Sequence, residues 1–211
     1  MKQYALIILF CFLSYASYAQ DMASLFAGMP DRYLPQLESA WRKDLIDLYS
    51  SGKTARLENM ISGYSELKML TTDYLLLQTT ERSTLEMKLL PLVNNTYIIC
   101  AVSTVYAPTP DSRVLFFSPE WEVLEVGDMF VPPAADWFLK EDADRESDAY
   151  PDAVSRLDME LIHYRLDPES LKLTAVYTTS EYLSKEDREK VAPYLKTEPK
   201  VYIWEKYRFK E

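Results

Sequence analysis

Thr96-Tyr97-Ile98-Ile99-Cys100-Ala101-Val102-Ser103-Thr104-Val105-Tyr106 is the stretch that decides the fold. It is rich in β-branched and aromatic residues and holds no glycine, proline or charge. One alternation gives Tyr97, Ile99, Ala101 and Val105; the other gives Ile98, Cys100, Val102 and Tyr106. Both faces are apolar, so the strand is expected to be covered on both sides. An edge strand would carry charges or proline to block further pairing, and this one has neither. The reading is therefore a central strand of a sheet with layers above and below.

Working outward, short polar breaks at Thr72-Asp73, Glu81-Arg82-Ser83 and Asn94-Asn95 separate strand-like runs at 66–70, 74–80, 85–91, 114–117 and 121–126. Such spacing predicts hairpins and hence an antiparallel meander. In the third run Leu85, Met87 and Leu89 alternate with Glu86 and Lys88, the pattern of a strand with one wet face. Before the strands the period is helical from Asp21 to Ile61. Leu34, Leu37, Trp41, Leu45 and Leu48 predict an amphipathic helix over 33–49, with Arg42, Lys43, Asp44 and Asp47 on its polar side. A shorter helix is expected over 54–61, and Gly52 and Gly63 punctuate the two.

After Gly127 the order restarts. Helical pieces are predicted at 134–140, 152–158 and 184–195, and strands at 160–166, 171–178 and 200–210. An acidic linker, Glu141 to Ser147, lies between the first two helices. The fold class is α+β, with antiparallel sheet and helices packed on one face. Phe26-x-x-Met29-Pro30 and Phe130-Val131-Pro132 echo each other, so two tandem helix-plus-sheet units, 20–127 and 128–211, are one organisation and a single continuous domain is the other.

The N-terminus sets the compartment. Lys2 precedes the apolar core Ala5 to Leu13, and Ser17 and Ala19 occupy the −3 and −1 positions of a cut before Gln20. This is the layout of a secretory signal peptide over 1–19, and its core is too short to span a bilayer. A secreted or periplasmic protein is expected. Removing the leader takes away Lys2 and leaves 22 basic against 33 acidic residues. That surface repels phosphate backbones and anionic lipid heads, which disfavours nucleic acid and membrane partners. Cys100 is the one cysteine left, so no internal disulfide can form, and its place in the central strand makes it a small buried hydrophobe.

The motifs that could carry chemistry each fall short of it. His163, the single histidine, sits mid-strand with no nucleophile elbow in the sequence to serve. Ser51-Gly52-Lys53-Thr54 imitates the end of a phosphate loop, but Asp47 stands where the first glycine is needed and a helix precedes it. Asp142, Asp144, Glu146 and Asp148 begin like a calcium loop and then offer Ser147 and Ala153 where glycine and glutamate belong. No catalytic residue, metal or cofactor is assigned. Tyrosine is the unusual element, and Tyr177, Tyr202 and Trp204 of the C-terminal strands are the expected contact surface, because rigid half-polar rings suit recognition. The leading function is a non-enzymatic binding or interaction module whose partner is a protein or glycan of the cell envelope. The alternative is an envelope hydrolase acting through paired carboxylates on glycan or peptide.

The run from Leu25-Phe26-x-x-Met29-Pro30-Asp31 through Arg42-Lys43-Asp44-Leu45 carries a resemblance. So do Asp111-Ser112, Phe116-Phe117 and Trp121, and Tyr182-Leu183-Ser184 with Trp204. Together they resemble a family of small secreted Bacteroidetes proteins catalogued as a domain of unknown function. The resemblance implies an envelope or secreted location and an α+β fold. It supplies no activity and no catalytic residues.

Overall fold

The computed structural model describes residues 21–127 and 129–211, so the leader read at 1–19 lies outside the described residues. Seven strands form one antiparallel sheet in sequence order: β1 (Arg56–Glu58), β2 (Tyr64–Leu70), β3 (Tyr74–Thr80), β4 (Ser83–Pro91), β5 (Tyr97–Tyr106), β6 (Pro110–Phe117) and β7 (Val123–Leu124). Four more form a second antiparallel sheet: β8 (Ile162–Leu166), β9 (Lys172–Tyr177), β10 (Lys200–Glu205) and β11 (Arg208–Lys210). The fold is α+β, as the periodicities predict.

β5 lies between β4 and β6, with Cys100 opposite both Lys88 and Phe116. Its two apolar faces enter two different cores. Ile99 and Ala101 join Leu75, Leu77, Met87 and Phe117 under two helices, α1 (Met22–Gly28) and α2 (Ser39–Ser50), which contribute Met22, Leu25, Phe26 and Leu45. Ile98, Cys100 and Val102 join Leu90 and Phe116 against Ile162, Tyr164, Leu173, Tyr202, Trp204 and Phe209 of the second sheet. The layers are thus helix, sheet, sheet. Gly127 falls between stretches that supply one sheet each, and the second core is common to both. The remaining helices, α3 (Ala149–Ser155), α4 (Thr179–Tyr182) and α5 (Lys185–Val191), gather beside the second sheet, where Ala153, Val191 and Leu195 cluster. No helix among the described residues is long and apolar enough to cross a membrane.

The outward edge of the second sheet is closed from the first. The backbone N–H groups of Ile162, Tyr164 and Leu166 donate to Asp111 Oδ1 (3.2 Å), Ser112 Oγ (3.0 Å) and Glu86 Oε2 (2.9 Å). Side chains here replace the neighbouring strand that an edge lacks. At the opposite edge the Phe209 N–H donates to the Met129 carbonyl at 2.8 Å.

Several local expectations are corrected. The helix expected over 33–49 begins only at Ser39, because Pro35 forces Leu34 out of the helical region, to φ −147°, ψ 65°. Arg42, read as part of the wet face, is fully buried. The helix expected over 54–61 is strand β1, paired Arg56 to Glu66 and Glu58 to Tyr64; long-range pairing overrides a weak local preference. The helix at 134–140 is a 3-10 turn, Ala135–Phe138. The single strand over 200–210 is a hairpin turning at Lys206, which adopts φ 61°. Lysine does not advertise such a turn as Asn-Gly would.

Candidate functional site

The three aromatics expected on the surface are not where the sequence reading put them. Tyr202 and Trp204 are each 4% exposed. They share the inward parity of β10, while Val201 and Ile203 take the outer face at 40% and 45% exposure. Trp204 is held by a 2.8 Å bond from its indole N–H to the Pro91 carbonyl and by packing on Phe116 and Phe209. Tyr177 is half-buried, stacked 4.8 Å from Phe138, with its hydroxyl donating to the Met159 carbonyl at 3.4 Å. An exposed aromatic patch of these three rings is therefore ruled out, because both faces of the C-terminal strands are apolar and the rings took the inner one.

Tyr202 nonetheless leads to a site. Along β10 the inward positions run Trp204, Tyr202, Lys200, and at Lys200 the core opens into a cleft of about 610 Å³. Trp137 forms one side of it, placed by the 3-10 turn whose next residue, Phe138, is anchored at 1% exposure. Val131, Pro132 and Pro133 supply an apolar wall. Lys200 is 9% exposed: its stem is buried and its ammonium reaches the cleft, as long basic side chains do at a core margin. The ammoniums of Lys196 and Lys200 lie 4.6 and 4.8 Å from the Trp137 ring centre, at cation–π range. That of Lys200 is also 5.3 Å from the Tyr202 ring.

Charges of both signs meet here. Lys200 Nζ is 2.5 Å from Glu211 Oε1, and Lys196 Nζ is 3.7 Å from Glu141 Oε1. The Lys200 hydrogen bond, helped by one from Trp137, holds the Glu211 carboxyl below its usual range. The Tyr202 hydroxyl is buried and has no hydrogen-bond partner among the described residues. Burial, with lesser contributions from Tyr164 and Glu211, pushes its pKa up, so it stands as a neutral donor. Two amines, a phenol and an indole on one cleft can hold an anionic group bonded to a compact polar body. Lys196, Lys200 and Trp137 were not singled out from the sequence; the signal that could have found Lys200 is its shared parity with Tyr202 and Trp204.

The other residues with reactive side chains are accounted for by structure. Cys100 is wholly buried, and burial pushes its thiol up, against thiolate formation. His163 sits on the outer face of β8, its Nε2 3.4 Å from the Tyr106 hydroxyl, and burial with the nearby Arg165 charge holds its pKa down. Glu86 is a buried carboxylate, raised chiefly by that burial, of the kind a hydrolase would use. Its Oε2, however, is already taken by the Leu166 N–H and the Tyr74 hydroxyl (3.2 Å). Lys88, also buried, binds Asp73 (2.9 Å) and the Pro168 carbonyl (2.7 Å). The pair clamps the turn between β8 and β9. Among the described residues no three His, Cys, Asp or Glu side chains group as a metal site would require.

A family model described as "Protein of unknown function (DUF3256)" matches residues 14–209. A solved structure, described as that of a domain of an uncharacterized protein from Porphyromonas gingivalis W83, matches with a TM-score of 0.82 at 30% identity. The match covers 90% of this chain and 98% of that one. No curated protein matches.

Proposed function

We propose that this chain, which belongs to the DUF3256 family of proteins of unknown function, is an exported binding protein of the cell envelope without catalytic activity. Its ligand, carried by an envelope protein or glycan, occupies the cleft between Trp137, Lys196, Lys200 and Tyr202. One observation carries the reading. A buried phenol without a partner among the described residues and a nearly buried ammonium both line that cleft, the ammonium 5.3 Å from the phenol's ring. Native proteins satisfy almost all buried polar groups, and one left open where a cleft begins marks a place for a ligand atom. The leader-like N-terminus and the acidic surface support the envelope location and the exclusion of nucleic acid.

The test is capture. The mature chain, immobilised, is offered arrays of envelope glycans and of peptides, beside Trp137→Ala and the double variant Lys196→Met, Lys200→Met. Capture that the wild type shows and the cleft variants lose, at unchanged melting temperature, is the expected result. Capture that is indifferent to these substitutions would refute the cleft. Turnover of any captured glycan or peptide on prolonged incubation would refute the absence of catalysis.

A further inference from the structure

Three carboxylates line the cleft, those of Asp136, Glu141 and Glu211, and what the last one touches describes what the cleft recognises. Glu211 places its side-chain carboxylate 2.5 Å from Lys200 Nζ, on the cleft that Trp137 also lines. The Glu211 side chain is 60% exposed, whereas that of Lys200 is 10% exposed. The amine is thus a fixture of the fold and the acid a tenant at its mouth. A buried ammonium requires an anionic partner more than an exposed carboxylate requires a cation. The Tyr202 hydroxyl, on a ring 5.3 Å from that ammonium, lacks any acceptor among the described residues. A carboxylate seated deeper than Glu211 reaches would accept from both the Lys200 ammonium and that phenol. We infer that the cleft binds a carboxylated sugar residue of a glycan, and that the Glu211 side chain occupies the position of its carboxylate until the ligand displaces it.

The inference rests on the cleft being the binding site. Two features favour a sugar acid over an extended peptide. A peptide lying along a sheet margin gains affinity by adding a strand, and the β11 edge beside the cleft is closed by the Phe209–Met129 backbone bond. The proline-containing wall at Val131-Pro132-Pro133 and the ring of Trp137 flank an open cleft of about 610 Å³, within the range of pockets for small ligands.

The experiment is a titration of the mature chain against a panel of uronic-acid and sialic-acid oligosaccharides, their methyl esters, and capped peptides with a free C-terminal carboxylate. The acid glycans are expected to bind at least ten-fold more tightly than their esters. Tyr202→Phe weakens them roughly ten-fold, the worth of one hydrogen bond to a charged group. Glu211→Gln tightens them about two- to five-fold, the worth of a half-exposed ion pair that no longer competes. Glu211 lies at the surface, so its variant keeps the fold even where Tyr202→Phe does not. The inference is overturned by acids and esters binding equally, by Glu211→Gln leaving acid binding unchanged, or by peptide carboxylates binding in preference. Neutral glycans held in a Trp137-dependent way would overturn the carboxylate assignment and leave the cleft as the site. No binding from the whole panel overturns the inference.

Discussion

Replacing Arg42 by methionine should come close to unfolding the protein, although Arg42 touches neither the cleft nor the second sheet. Its guanidinium is 0% exposed. Nε donates to the Phe26 carbonyl at 3.0 Å, Nη1 to the Leu37 carbonyl at 2.6 Å and to Asp31 Oδ1 at 3.0 Å, and Nη2 to the Met29 carbonyl. These acceptors belong to the end of α1 and the irregular stretch before α2, which the side chain holds together from within. The Phe26 carbonyl keeps a second donor, the Met29 N–H at 3.3 Å, but those of Met29 and Leu37 depend on Arg42. Each buried acceptor left without a donor costs about 1–3 kcal/mol, and breaking a buried charged network typically costs ~3–5 kcal/mol. A loss of about 4 kcal/mol is a large part of the ~5–15 kcal/mol that usually separates folded from unfolded. In urea, at a slope near 2.5 kcal/mol/M, the midpoint should fall by about 1.6 M. Arg42→Lys keeps the charge but not the fork of donors, and should lose roughly half as much. Asp31→Asn is the control. Asp31 is 57% exposed in its side chain, and its substitution should stay within about 1 kcal/mol. An Arg42→Met protein within 1 kcal/mol of wild type would show that the carbonyls find other partners, and the reasoning would fail.

Two further outcomes follow from buried titratable groups. The Glu86 carboxyl is raised, chiefly by burial, so the folded state holds its proton more tightly than the unfolded chain does. That contribution to stability is full below the unfolded value of ~4.3 and is lost as pH rises through the folded one. Glu86→Gln, which can still accept from the Leu166 N–H, should therefore gain on the wild type between pH 4 and pH 7; a gap in urea midpoint that does not widen with pH refutes this. Cys100, wholly buried with its thiol pushed up, should resist a thiol-reactive disulfide reagent in the native protein and react fully in denaturant. Fast native labelling would mean the sheet-to-sheet core opens readily.

The central strand was legible because its chemistry is the same on both faces. Two apolar rows demand two covers, and the helices and the second sheet are those covers. β4 shows the opposite case. Glu86 and Lys88 look like a wet face, yet they are 6% and 2% exposed, since each finds partners in the β8–β9 turn that falls on them. Alternation records polarity, and a charged row whose hydrogen bonds are met by a distant segment is indistinguishable locally from one met by water. Arg42 was hidden for the same reason. Tyr202 and Trp204 were misplaced by a different ambiguity: Val201 and Ile203 offer an equally apolar alternative face, so parity alone cannot say which way the strand turns.

That parity also explains why the cleft lies where it does. Along the inner face of β10, Trp204 closes its polar atom onto Pro91, and Tyr202 buries a ring whose hydroxyl finds no partner among the described residues. Lys200 then buries only its stem. Successive inward positions, two residues apart, grade from satisfied to unsatisfied to charged as the sandwich of sheets runs out. A core that ended in leucine at position 200 would simply stop at a dry margin. One that ends in an ammonium must put that charge somewhere wet or paired, and Trp137 and Glu211 have been brought to it from separate segments of the chain. The opening is therefore a consequence of how the second sheet terminates. Substituting Lys200 by leucine should close the polar end and leave the fold at least as stable, so a strong loss of stability in that variant would count against placing the cleft at the core's margin.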